Sequence, residues 1–316
     1  MQRPGTKRLP DARTPKDARS PIPRAVSVAA PQARSYETVL RIQSEVNQTT
    51  FANGPRFAEH RQRLTDHLLA LAPPGQTGRL CLLGAGNCND VDLPALAERY
   101  REIHLVDLDV AALTRAQARE PAPVQKRLFR HGPLDLTGLL TVVDGWLKST
   151  PTMKEIEAAV APAAEGLCRA LPGPFDVTAS CCLSTQLSHG MTASLGAAHP
   201  MLSEVRRAVV TIHLRTMVGV LAPAGQALFV SDLVSSDTYP LEELSAGRDL
   251  KDVMAELVRD RNLFVGSDPL LYAQLLRRDP VLSQLAGPTR AIEPWIWRPV
   301  LARCFLVYGF IIARSA

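Results

Sequence analysis

Apolar residues fall along this chain in two rhythms. Short unbroken apolar runs bounded by turn residues predict strands buried on both faces. They occur at 80–84, 102–107, 126–131, 175–184 (a strand and its exit) and 227–233. Repeats near every third or fourth residue predict helices with one buried stripe. Leu64, Leu68 and Leu71 mark such a helix at 55–71, and Leu202, Val205, Val209 and Ile212 mark one at 201–221. Leu250, Val253, Met254, Leu257 and Val258 mark a third at 250–258. Further helices are expected at 36–47, in a run ending near Tyr100, and at 110–120, 151–171 and 269–278. The last segment alternates and is rich in aromatic and β-branched residues. It predicts two adjacent strands, at 293–297 and 303–312, interrupted by Trp297-Arg298-Pro299.

Strands that alternate with helices make right-handed crossovers and a doubly wound sheet. The expected fold class is therefore α/β: a mostly parallel seven-stranded sheet, helices on both faces, and a C-terminal antiparallel strand pair. The expected organisation is a basic tail over 1–34, an N-terminal helical cap over 35–78 and the main domain over 79–316. A helical insertion at about 235–288 is long for the connection it makes. It is expected to cover a substrate pocket, with Tyr239, Phe264 and Tyr272 as apolar contacts.

The chemistry is concentrated where the first strand ends. Gly84-Ala85-Gly86-Asn87-Cys88-Asn89-Asp90 follows it directly, and alternate glycines let a backbone turn sharply and admit a ligand close to the peptide units. The second strand ends in Asp107, 23 residues after Gly84. A carboxylate there accepts hydrogen bonds from the ribose hydroxyls of a nucleoside. Asp109, two residues on, is the alternative for that role or for helix capping. A dinucleotide site wants a third glycine where the helix meets the strand, and that position holds Asn89. Asn89 or Asp90 is expected to cap the helix that follows.

Gly84-Ala85-Gly86 with Asp107 resembles motifs I and II of the class I S-adenosylmethionine-dependent methyltransferases, whose Rossmann-like fold has the same terminal strand pair. The likeness covers 79–313 by strand order, with motif-level matches in its first third. It departs from that family at Leu82, where an acid is common, and at Cys88, where a third glycine falls. The resemblance implies S-adenosyl-L-methionine as cofactor, held by Gly84, Ala85, Gly86, Asn87, Asp107, Leu108, Asp135, Leu136 and Ser180. Asp135 corresponds to the residue that bonds the adenine amino group. Asn87, Asn89 or Asp90 would meet the methionine end, and Tyr36, Phe51 and Arg56 would lie over the site. Thr178, Ser180, Ser184, Thr185 and Gln186 would face the methyl group. The Asn/Asp-Pro-Pro-aromatic signature of nucleic-acid amino methyltransferases is absent at the fourth strand.

No catalytic residue is singled out. Methyl transfer from a sulfonium is an in-line displacement in which positioning supplies much of the rate, and a base is needed only for a protonated nucleophile. His131, His189, His199 and Asp232 are the candidate bases near strand exits, with His189 in a loop that ends at His199. The acceptor is expected to be a small molecule, with a protein as an alternative. An NAD(P)-dependent oxidoreductase and a non-catalytic cofactor-binding protein are the competing readings.

Charge and cysteines narrow this further. The 316 residues carry 36 Lys/Arg and 31 Asp/Glu, a net charge of +5. Residues 1–34 hold eight of the bases and two of the acids, so the rest balances at −1. Nucleic-acid contact is therefore expected only weakly, through the proline-rich tail, which cannot bury enough to fold. Six cysteines without a Cys-x-x-Cys pair suit buried thiols in a reducing, cytoplasmic setting and no structural zinc. No apolar run is long enough to span a membrane, and no secretory signal is expected.

Overall fold

The computed structural model describes residues 34–300 and 303–315. The predicted tail lies outside them, apart from Arg34. Helix α1 (Arg34–Phe51) and a 3₁₀ turn (Gly54–Phe57) lead into α2 (Ala58–Leu71). Then follow β1 (Gly78–Leu83), α3 (Leu93–Arg99), β2 (Tyr100–Val106), α4 (Val110–Ala118), α5 (Ala122–Gln125) and β3 (Leu128–His131). The middle holds α6 (Leu140–Lys148), α7 (Met153–Ala170), β4 (Phe175–Cys181), α8 (Leu183–Leu195), α9 (Leu202–Gly219) and β5 (Leu221–Ser235). Helices α10 (Leu241–Leu244), α11 (Leu250–Arg259), α12 (Pro269–Arg278) and α13 (Leu282–Leu285) precede β6 (Ala286–Val300) and β7 (Arg303–Arg314).

The seven strands lie in the order β3-β2-β1-β4-β5-β7-β6. Strands β1 to β5 are parallel, while β7 pairs antiparallel with both β5 and β6. This is the expected α/β sheet. In β1 the apolar run is buried on both sides because its side chains alternate between two cores. Leu80 and Leu82 join the core that includes Leu64 and Leu68 of α2. Cys81 and Leu83 join the core beneath α8 and α9. The chain leaves β1 in one direction for β2 and returns on its other side as β4, so the strand order reverses at β1. A crevice opens beyond the carboxyl ends at such a switch point.

Some elements differ from the sequence expectation. Helix α8 spans 183–195, where the sequence predicts the exit of the fourth strand and a loop from His189 to His199, and α6 fills a stretch with no predicted element. Gly190 of α8 faces Val39 of α1, where an added carbon would make contact at 3.4 Å. Strand β6 is one irregular edge strand from 286 to 300 rather than a short strand at 293–297. Its three register breaks each contain a proline (Pro288, Pro294, Pro299), which cannot donate to a ladder and is tolerated at an edge.

Residues 236–285 form a helical layer. Val253, Leu257, Tyr272, Leu275, Leu276 and Leu282 are buried in the same core as Phe229 and Phe310 of the sheet. Tyr272 is fully buried and donates its hydroxyl to Ser184 Oγ at 2.7 Å. It fills the core instead of lining a substrate pocket. Arg215 of α9 clamps Asp279 with two bonds of 3.0 and 2.7 Å, fixing the start of α13.

Candidate functional site

The loop after β1 is built to turn back on itself. Gly84 and Gly86 have φ of +71° and +48°, and Cys88 also takes a left-handed conformation at +53°. The amides of Gly84 and Ala85 both donate to Val106 O at 2.9 Å, which ties the loop to β2. A carbon at Gly84 would lie 2.6 Å from the Leu183 side chain, which would have to shift to admit it, and the positive φ favours glycine there as well.

The two acids after β2 take different roles. Asp107 is 8% exposed, and its carboxylate accepts from the amides of Gly86 and Asp109, each at 2.8 Å. Burial outweighs those bonds and pushes its carboxyl up to about 6. Asp109 is the cap of α4, accepting from Ala111 N and Ala112 N at 3.0 and 3.1 Å. Its other oxygen takes a bond of 3.0 Å from Asn47 of α1. Capping thus falls to Asp109, and Asp107 is left facing the crevice.

That crevice has an empty volume of about 390 Å³, counting the part open to solvent. Gly84, Asp107, Leu108, Asp135 and Leu136 line it, joined by Leu134, Thr137, Leu183 and Leu187 and by Val39 and Gln43 of α1. Five of the nine expected cofactor residues therefore meet in one place. Asp135 is bent onto its own loop: Oδ1 accepts from Thr137 N and Oγ1 at 2.8 and 2.6 Å, and Oδ2 accepts from Leu140 N at 2.9 Å. Burial raises its carboxyl above the ordinary range.

The other four are not among the residues that line this crevice. Ala85 lines a second cleft on the far side of the loop. The Gly86 amide is engaged with Asp107. Asn87 donates to Asn47 O at 2.6 Å and accepts from Arg115 Nε at 3.3 Å. Ser180 is fully buried, with its hydroxyl 2.8 Å from His213 Nε2. Burial pushes that imidazole down to about 4, and the pair sits between β4 and α9. Asn89 likewise faces away from the crevice: its amide donates to Thr50 O at 2.9 Å. Asn87 and Asn89 together add bonds to carbonyls in the last turns of α1, at Asn47 and Thr50. The cap of α3 is Asp92, which accepts from Ala95 N at 3.0 Å, in place of the expected Asn89 or Asp90.

The remaining candidates are dispersed. His131 stacks with His104, ring nitrogens 2.8 Å apart, below the crevice. His189 is exposed on α8, and His199 bonds to the backbone at Met201 and Trp146. Asp232 accepts from Thr185 Oγ1 at 2.7 Å, and burial raises its carboxyl. Tyr36 lies near Asp135; its phenol is raised by burial and by that carboxylate. Phe51 is exposed beneath the Arg115 guanidinium and Arg56 is exposed, so neither lines the crevice.

The second cleft has an empty volume of about 260 Å³ and shares Gly84 with the first. Its walls are Leu82, Leu83, Ala85, Val91, Ala179 and the thiols Cys88 and Cys181, with Asp90 as the charged group. Beneath Asp90 lies His60, 1% exposed, which the sequence reading passed over. A signal was present: His60 stands four residues before Leu64 on the buried stripe of α2. Among the described residues, no group of three or more His, Cys, Asp or Glu is placed to hold a metal ion, and no helix is long and apolar enough to cross a membrane.

No family model and no curated protein matches the chain. Solved structures align with it at low identity. The N-methyltransferase NodS from Bradyrhizobium japonicum WM9, in complex with S-adenosyl-L-homocysteine, aligns at 15% identity and a TM-score of 0.40 over 89% of this chain and 98% of its own. The arsenic (III) S-adenosylmethionine methyltransferase CrArsM from Chlamydomonas reinhardtii aligns at 16% identity and 0.37 over 78% and 67%. A putative methyltransferase from Bacillus halodurans C-125 aligns at 12% and 0.39 over 79% and 98%. At these values the alignments carry no functional assignment, and it is the strand order of the chain itself that defines the architecture. With β1 to β5 parallel and β7 inserted antiparallel between β5 and β6, the chain has the doubly wound α/β sheet with the C-terminal antiparallel strand pair that its sequence predicts.

Proposed function

We propose that the protein is an S-adenosylmethionine-dependent methyltransferase with a small-molecule acceptor. The observation that carries this reading is the pair of clefts that meet at Gly84. One presents Asp107, Leu108 and Leu136 to a nucleoside. The other runs over the glycine loop toward the end of β4, where an amino-acid arm fits. Asp107 would accept the ribose hydroxyls while remaining fixed by two backbone amides. Leu108 and Leu136 would enclose the base. When bound, the cofactor supplies an activated methyl group, and the chain's part is to hold donor and acceptor in line.

A dinucleotide fits less well. Its pyrophosphate needs a helix N-terminus free to receive an anion, whereas α3 begins at the carboxylate cap of Asp92. The near-neutral charge after residue 34 favours a small acceptor over a nucleic acid. Six free thiols fit a reducing, cytoplasmic location.

Calorimetry with S-adenosylhomocysteine and with NAD tests the cofactor. Saturable binding of the first, with none of the second, is expected; the reverse would overturn the reading. Incubation of cell extract with isotope-labelled S-adenosylmethionine, read by mass spectrometry, then identifies the acceptor. Label in metabolites is expected, and label confined to protein or RNA would overturn the small-molecule assignment.

A further inference from the structure

Asp232 is an acid that the cofactor reading leaves unused. It stands near the carboxyl end of β5, where Val230 pairs with Cys181 of β4. Alternate residues of a strand share a face. Asp232 therefore lies on the face of Val230, Ala179 and Cys181, over which the second cleft opens. It is one strand spacing, about 4.8 Å, across from the cleft wall and about 7 Å beyond Val230 along the strand. Its carboxylate is engaged at one oxygen. Oδ1 accepts from Thr185 Oγ1 of α8 at 2.7 Å, while Oδ2 bonds to no other residue among those described. Arg303 of β7 acts on it only through its field, since that guanidinium is bonded to Asp237 at 2.7 Å and to Ser235 at 3.3 Å. Burial raises the carboxyl above the ordinary range, which makes the carboxylate a stronger base.

The wall beside it is aromatic. Val307 of β7 pairs with Asp232, and Phe305 is the next residue of β7 on that face. Trp297 of β6 pairs with Phe305, with ring centroids 5.4 Å apart, and Phe264 closes on Phe305 from the helical layer at 6.2 Å. All three rings are half-buried. Rings of this kind pack best against another planar ring, offset or edge to face.

We propose that Asp232 is the general base of the reaction and that the acceptor is an aromatic compound methylated at an O–H or N–H. The proposal rests on the methyltransferase reading. The acceptor ring packs against Phe305 and Trp297 with its nucleophilic atom at Asp232 Oδ2. The acceptor's lone pair forms a bond to the methyl carbon as the carbon–sulfur bond breaks, with its electron pair left on sulfur. The acceptor's proton moves to Oδ2 and from there to water. Thr185 is a positioning residue: it holds Oδ1 and leaves Oδ2 to the acceptor.

The test combines a metabolite extract, S-adenosylmethionine labelled in its methyl group, and mass spectrometry of the products. The wild type is expected to place label on an oxygen or nitrogen of an aromatic compound. With that compound as substrate, Asp232→Asn is expected to lower kcat about 10²- to 10⁴-fold, with KM and the affinity for S-adenosylhomocysteine unchanged. Without the base the acceptor has to ionise first. The Asn rate is therefore expected to climb roughly tenfold per pH unit from about 7 to about 9, where the wild-type rate is level. The titratable and charged groups whose fields reach Asp232 are His60 of α2, Arg303 of β7, Cys182 before α8 and, from the other face, Tyr272 and Tyr308. All are present in both proteins, so the difference between the two profiles isolates Asp232. Thr185→Val is expected to lower kcat by a smaller factor at constant KM, and Thr185→Ser to restore it. A folded Asp232→Asn with wild-type kcat, a pH profile parallel to the wild type, or label on a nucleophile with no proton to lose, such as a thioether, overturns the proposal; Asp232→Ala repeats the test if the amide variant misfolds. If the wild type binds no S-adenosylhomocysteine, the methyltransferase reading fails and this proposal with it. If it binds but labels no aromatic compound, this proposal alone fails.

Discussion

Replacing Asp107 by Asn separates the two consequences of burying a carboxylate in the crevice. Its carboxyl rises from an ordinary 3.8 to about 6, so keeping it ionised at neutral pH costs the folded protein about 3 kcal/mol. Asn removes that cost. It also turns one acceptor into a donor, so the amide of Gly86 or of Asp109 loses its partner, at about 1–3 kcal/mol. The terms nearly cancel, and the melting temperature is expected to change little. Binding has no such offset. Charge-assisted bonds to the ribose contribute about 1.5–3 kcal/mol, so the dissociation constant for S-adenosylhomocysteine is expected to rise roughly 10- to 150-fold. Calorimetry gives the affinity and differential scanning fluorimetry the stability. The pH dependence follows in sign. The wild-type carboxylate is ionised above about 6, so affinity should fall as pH drops through that value, while the Asn variant stays flat. A folded Asn variant within threefold of the wild-type affinity, or one with the same pH profile, would refute the role assigned to Asp107.

His104 is held near 4, first by burial and then by its neighbours His131 and Arg79, with Glu102 partly offsetting them. Its contribution is complete above an unfolded value of about 6.5 and is lost as pH falls from there toward 4, reaching about 3 kcal/mol; urea midpoints measured across that window should shift accordingly, and His104→Gln should flatten the shift. Arg215→Ala leaves the Asp279 carboxylate buried without its cation and is expected to cost about 3 kcal/mol or more, whereas the double variant with Asp279→Asn should recover part of it in chemical denaturation. Gly86→Ala puts a side chain at φ +48° and 2.9 Å from Asn47 Oδ1; a loss of about 1–2 kcal/mol from the left-handed conformation alone, with faster hydrogen exchange at the end of α1, is the expected result.

The sheet was legible because each central strand is a short apolar run. A strand covered on both faces needs no finer pattern than that. The N-terminal part of the crevice was legible too, since Gly84 and Asp107 occupy positions that a βα turn and a strand end dictate. Ser180 was misplaced through parity. In β4, Thr178 bonds to Met217 O and Ser180 to His213, so both face α9, while Ala179 and Cys181 face the second cleft. Strand assignment alone does not say which alternate set meets a ligand. Helix α8 escaped notice because Ser, Thr, His and Gly dominate its sequence. Its stability comes from packing against α1 and α9 rather than from propensity. His60 was hidden by distance: its partners Asp90 and Trp295 lie 30 and 235 residues away.

The loop's polar side chains also bear on how ligand affinity arises here. Asn87 and Asn89 hold the last carbonyls of α1, Arg115 and Arg119 of the α4 region hold the two Asn side chains, and Arg61 of α2 holds Asn89 O. Asn47 returns the contact to Asp109. The same helix then supplies Val39 and Gln43 to the crevice wall. These bonds bind the loop to its own chain, and little is left in them for a ligand. What the loops after β1 and β2 present to the crevice is Gly84, Leu108 and the carboxylate of Asp107. Affinity in such a site depends on preorganisation, because the groups that would touch the ligand are already fixed and lose little freedom on binding. The departures at Leu82 and Cys88 from the pattern of an acid and a third glycine are consistent with this economy. Leu82 turns into the core against α2, and Cys88 accepts its left-handed turn while Arg119 holds its carbonyl at 2.9 Å.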